Sequence, residues 1–334
     1  MTSSREPDSI WRMSALAAAL ICAVLLISVF AFVSSATPMP PAERWAALTT
    51  FTLLTLAYTL QGSPGLYDAL GQTVRRDWRA YAVLVALLPA LYLAYSSAVG
   101  EFTVTGLGSA VLLALVPGVA FYAGRGQRRP VIFDWVATLY LWLSFALGLV
   151  PSLTLPQQGG LVGFFHFALV PLLLLALAAR GWPGLGFTWF LRSRDLRDAL
   201  LAGVVVAALA VFADSADVVL QFQALALLAR VIELYFFVAL PAELLYRGLI
   251  QNGISRSLAP LLPSARRDGL APAIGAVVAA LAAASAQLIV GASPLDAAVV
   301  ALAALGYGWV YTRSGKITAS AVAHALVLWI IQIM

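Results

Sequence analysis

Eleven apolar stretches divide this 334-residue chain, and their length constrains the fold more than any other feature. They run over 14–36, 45–61, 80–98, 107–123, 132–150, 161–179, 199–213, 224–246, 271–290, 297–311 and 318–334. A hydrocarbon core about 30 Å thick takes about 20 apolar residues per spanning helix. Within lipid every backbone N–H and C=O must find its partner inside the protein. Long apolar runs, rather than ten-residue alternation, therefore predict helices and not an outer-membrane barrel. The expected fold class is all-α: a polytopic integral membrane helix bundle with about 11 transmembrane helices. Charged residues make up 10% of the chain, against about 25% in a soluble domain.

The net charge of +5 invites a nucleic-acid reading, but the positions of the charges refuse it. With the N-terminus on the cytoplasmic side, 18 of the 20 basic residues fall on that side. Only Arg44 lies in an outer loop, and Arg230 lies inside a span. The loops at 100–106, 151–160, 213–223 and 291–296 contain no Lys or Arg. This is the positive-inside distribution. It predicts an inner-membrane, multi-pass protein with a cytoplasmic N-terminus and no nucleic-acid partner. Cys22 is the only cysteine, which excludes an internal disulfide and a Cys-based zinc site. No cofactor or metal is expected. Stretch 14–36 reads as an uncleaved anchor.

The first six spans, 1–198, carry few polar groups within the membrane. His166, in GFFHFAL, reads as a packing residue. Segment 180–198 interleaves Trp182, Phe187, Trp189 and Phe190 with four arginines, a composition suited to the headgroup level. It reads as a linker to a second membrane domain, 199–334. There the polar residues need explaining. Arg230 and Glu233 share one helical face, as do Glu243 and Arg247. Gln287 is expected mid-span and His324 within the last helix, so that Glu243, Gln287 and His324 could converge on one buried site.

The stretch AELLYRGLIQ, 242–251, resembles the first motif of the CPBP intramembrane peptidases, the group of type II CAAX prenyl proteases and bacteriocin-processing proteins. The stretch GYGWVYTRSGKITASAVAHAL, 306–326, is similar to that family's last two helices. The likeness covers about 224–334. It implies a CPBP-like core and an intramembrane glutamic endopeptidase that needs no metal. In such an enzyme a glutamate activates water, a histidine assists it, and a second histidine with an asparagine holds the oxyanion. Carried over, Arg247 matches the motif arginine, Glu243 its second glutamate and His324 the last-helix histidine. The first glutamate falls at Ala242, the first histidine at Gln287 and the asparagine at Leu328. Glu243 stands about 100° around an α-helix from Ala242, so it points elsewhere unless that helix is distorted.

The expected function is that of a catalytically degenerate family member. It would bind a membrane lipid, a hydrophobic or lipid-modified peptide, or a membrane protein partner. The candidate catalytic pair is Glu243 and His324, with Arg247, Gln287, Ala242 and Leu328 supporting it or lining a pocket. Two alternatives stand beside this reading: an active intramembrane endopeptidase working through Glu243 and His324, and a small-molecule transporter.

Overall fold

A computed structural model of the chain describes residues 9–127, 129–157, 162–182, 185–213 and 230–333. The helices in chain order are α1 (Ser9–Ala36), α2 (Pro41–Leu60), α3 (Pro64–Arg76), α4 (Trp78–Ala98), α5 (Val104–Ala123), α6 (Ile132–Ala146), α7 (Phe164–Arg180) and α8 (Ser193–Ala213). A continuous helix α9 follows over 230–258, then α10 (Ser264–Ile289), α11 (Pro294–Ser314) and α12 (Ile317–Ile333). A two-residue hairpin, Thr154–Leu155 against Val162–Gly163, precedes α7. The all-helical expectation holds. Among the described residues five helices are long and apolar enough to cross a membrane, and there are three shorter apolar helices. The start of the predicted span 224–246 lies outside the described residues.

Local sequence sets the helix ends. Proline stands at the first position of α2, α3 and α11, where its missing N–H costs nothing. Ser293 and Asp296 cap α11 reciprocally. Gly181 and Gly315 end α7 and α11 in the left-handed conformation.

The described residues form two compact units. One takes those within 1–126, 151–182 and 187–190; the other takes those within 127–150, 183–186 and 191–334. In the first unit α7 is apolar all round and buried all round. His166 is its exception: it is exposed, not packed among the phenylalanines. It sits in the first turn, between the buried residues Phe165 and Phe167. Arg75 donates at 2.6 Å to the carbonyl of Ala178, closing the far end of α7. Trp182 and Phe187, from the interleaved segment, are buried in this unit. Trp189 donates to the Thr59 carbonyl at 2.7 Å.

In the second unit α8, α11 and α12 share a core of small and branched side chains, among them Ala199, Ala207, Val310, Ala319 and Ala323. The α10 helix lies against both α9 and α11. Small residues let these backbones approach closely, as in membrane helix pairs generally. At Gly275 an added Cβ would stand 2.5 Å from the Gln251 carbonyl oxygen, so the crossing of α9 and α10 requires glycine.

Candidate functional site

The site is built on α9, and α9 is not a uniform α-helix. Residues Leu234–Ala239 and Leu244–Gln251 are π-helical, and the four residues between them, Leu240–Glu243, are α-helical. Pro241 gives a local reason for the first widening. It has no N–H and its ring crowds the carbonyl four residues earlier, and an i→i+5 register relieves that contact. Glu243 thus ends the short α segment, flanked by wider turns on both sides. This is the distortion needed for its side chain to turn inward.

Inward it does turn. Glu243 and Arg247 are each 1% exposed, and Arg247 Nε donates to Glu243 Oε2 at 3.0 Å. The hydroxyl of Ser320, on α12, lies 2.5 Å from the same oxygen and 3.0 Å from the Tyr307 carbonyl. Its single proton can serve only one of them, and the ionised carboxylate is the stronger acceptor. The other carboxylate oxygen meets His324 Nδ1 at 2.9 Å. Beside an ionised Glu243, a neutral imidazole carries its proton on Nδ1 and leaves Nε2 as the acceptor. The imidazole stacks on the Tyr307 ring, centroids 4.7 Å apart and planes 16° from parallel. Nε2 has no partner among the described residues, and the ring is 19% exposed.

The network continues below Arg247. Arg247 Nη1 reaches Gln251 Oε1 at 3.4 Å, and Gln251 Nε2 donates to the Gly308 carbonyl at 3.2 Å and the Thr312 hydroxyl at 3.0 Å. Gly308 makes room for this. A Cβ there would sit 3.1 Å from Gln251 Oε1 and 3.3 Å from Arg247 Nη1. Two buried charges are costly unless paired and hydrogen-bonded; here the charges pair with each other, and Glu243 and Arg247 each hold further hydrogen bonds.

Of the expected residues, then, Glu243, Arg247 and His324 come together. Gln287 does not join them by hydrogen bond. It lies in the last turn of α10, which stops at Ile289, rather than mid-span, and it is half-buried. Ala242 and Leu328 are half-buried and bring no polar atom to the site. Glu233 pairs instead with Arg230, whose Nε also donates to Gln332 at 2.8 Å. Ser320, Gln251, Thr312 and Tyr307 were not anticipated. Two of them carried a signal: Ser320 stands four residues before His324, and Gln251 four after Arg247, each on the partner's helical face.

An apolar groove of about 450 Å³ opens elsewhere in the second unit, between α6, α9 and α10. Trp135, Trp142, Ile250 and Ala282 line it. Trp142 is fixed there by donating to the Ala282 carbonyl at 3.1 Å.

A family model described as Rce1-like, type II CAAX prenyl endopeptidase Rce1-like, matches residues 223–330. The match covers about a third of the chain, and it is the family whose motifs the sequence resembles. Comparison with curated proteins and with solved structures gives no match.

Proposed function

We propose, from the Rce1-like domain that the chain carries over 223–330, that this protein is a membrane-embedded binder of hydrophobic or lipid-modified peptides. It holds such a segment without cutting it by the family's glutamate chemistry. One observation carries the reading: the carboxylate in the buried network is held by three donors on its two oxygens. Glu243 receives Arg247, Ser320 and His324 and is walled from solvent. A general base must reach the proton it abstracts directly or through one water, and this carboxylate is 1% exposed with both oxygens already accepting hydrogen bonds. The position that should hold the base is Ala242. The groove beside Trp135 and Trp142 offers an apolar recess of a size usual for small-ligand sites. In this reading about eleven spans cross an inner membrane with the N-terminus in the cytoplasm.

The test uses the purified full chain in lipid nanodiscs and a fluorescent farnesylated peptide ending in a CAAX-type sequence. Saturable binding, with the peptide recovered intact by mass spectrometry after prolonged incubation, is the expected result. Trp142→Ala should weaken that binding. Cleavage that disappears in His324→Ala would overturn the binding-only assignment.

A second reading rests on His324. Its Nδ1 is held by Glu243 and its Nε2 is unpartnered among the described residues, the arrangement in which a carboxylate orients an imidazole base. In that chemistry Nε2 takes a proton from water and the resulting hydroxide attacks the peptide carbonyl carbon. The tetrahedral oxyanion then collapses, and the leaving amine takes the proton back from the imidazolium. Glu243 would be the positioning residue. Cleavage in the nanodisc experiment, lowered by Glu243→Gln and lost in His324→Ala, would select this reading.

A further inference from the structure

At one end of the second unit, basic side chains outnumber the acids that hold them. Asp198, near the start of α8, accepts from Arg313 Nε of α11 at 2.9 Å and from Arg197 Nη2 at 3.2 Å. Arg194 Nε stands 4.0 Å from the same carboxylate. One turn earlier Asp195 pairs with Lys316 Nζ at 2.6 Å, and that pair is neutral by itself. Around Asp198, however, three guanidiniums face one carboxylate. A guanidinium carries five N–H donors and a carboxylate about four acceptor sites, so among the described residues most of these donors are unused and two positive charges are uncompensated.

The burial gradient says where the surplus points. The Asp198 side chain is 6% exposed, while Arg194, Arg197 and Arg313 are 65%, 70% and 39% exposed. The acid lies at the bottom and the cationic forks open outward. The Arg313 guanidinium also sits 5.0 Å from the centre of the exposed Trp309 ring. Beyond that ring the surface turns apolar: Leu200 and Leu201 on α8, and Leu302 and Leu305 on α11, are exposed. A cationic cup thus borders an apolar flank, with a tryptophan at the boundary. Tryptophan is enriched at the membrane–water interface, and planar guanidinium forks match phosphate oxygens.

We propose that Arg194, Arg197 and Arg313 form a binding site for the phosphate of an anionic phospholipid, with Asp198 holding the three forks in place. The acyl chains run along the exposed leucines of α8 and α11, and Trp309 rests near the glycerol level. A lipid suits this surface better than a free phosphate, because the apolar flank continues the site where a soluble anion ends.

The experiment measures binding of phosphatidylglycerol to the purified full chain in neutral-detergent mixed micelles, with phosphatidylcholine and inorganic phosphate as comparison probes. Phosphatidylglycerol should bind at least about tenfold more tightly than phosphatidylcholine. Arg194→Gln with Arg197→Gln should remove about tenfold of that affinity and flatten its salt dependence. Both side chains are largely exposed, so the fold should survive, as checked by an unchanged elution profile. The charge-matched Arg76→Gln with Arg79→Gln should leave binding intact. Equal binding of the two lipids, an unchanged affinity in the Arg194/Arg197 variant, or an equal loss in the Arg76/Arg79 control would overturn the proposal. Displacement of phosphatidylglycerol by millimolar inorganic phosphate would overturn the lipid assignment in favour of a soluble anion.

Discussion

Arg247 is the residue on which the buried network balances. It neutralises Glu243, reaches Gln251, and has no route to solvent. Removing one partner of a buried ion pair costs about 3–5 kcal/mol because the other charge is stranded, whereas removing both can be nearly neutral. Arg247→Met should therefore lower the thermal stability of the purified protein sharply. Adding Glu243→Gln to it should restore much of the loss, since the amide can still meet Ser320 and His324. A double variant as unstable as Arg247→Met alone would mean that the pair stabilises by shape rather than by charge balance. The pairing itself was legible in the sequence, because residues four apart on a helix share a face. The convergence of His324 on it was legible only as one of several outcomes. Ser320 was missed because a single serine among alanines carries no cost in sequence terms; its role depends on which carbonyl and carboxylate α12 meets.

At the scale of elements, the π-helical turns of α9 were not visible as such. The sequence placed Glu243 about 100° away from the Ala242 direction on an ideal α-helix, and only a change of register reconciles that with its inward position. Pro241 was the available cue, since a proline inside a helix must disturb the ladder somewhere. The links from α8 to the α11–α12 region depend on charge in a different way. Burial pushes the Asp195 carboxyl up, but hydrogen bonds from Lys316 and the Arg192 backbone outweigh it, so its pKa lies below the ordinary 3.8. At Asp198 burial is likewise outweighed, by Arg313 and Arg197. A folded-state pKa below the unfolded value gives stability that is present above the unfolded value and lost as pH falls through the folded one. The stability of the detergent-solubilised protein should thus be insensitive to these two acids from pH 7 to about 5, and fall below about 4. Asp195→Asn with Asp198→Asn should be less stable at neutral pH and lose that acid-side step. An acid-side step of the same size in the double variant would assign it to other carboxylates.

For the whole molecule, the chain order of helices is not the order of the units. The α6 helix, flanked in sequence by parts of the first unit, belongs with the second, where its Trp135 and Trp142 side chains line the groove against α9 and α10. Hydropathy registers that a segment is apolar but not which face meets which neighbour, so this grouping could not be read from spans alone. The same limit applies to the count. Among the described residues five helices satisfy length and apolarity on their own, and a topology of eleven crossings requires α2, α8, α9 and the three shorter helices to cross as well. The α8 helix is the hardest case, since its first turns carry Arg194, Asp195, Arg197 and Asp198 and leave 199–213 for the bilayer. Sidedness decides the matter, because each miscounted crossing inverts every loop after it. Replacing the sole cysteine, Cys22, with serine gives a background for single-cysteine labelling. With eleven crossings and a cytoplasmic N-terminus, Glu101→Cys and Leu295→Cys should react with a membrane-impermeant maleimide in intact cells. Gln127→Cys and Ser264→Cys should react only after the membrane is opened. If α8 lies along the surface instead of crossing, the positions before it keep this pattern. Leu295 and Ser264 would then exchange accessibility, and the arginine cup at the start of α8 would belong to a helix lying in the headgroup layer.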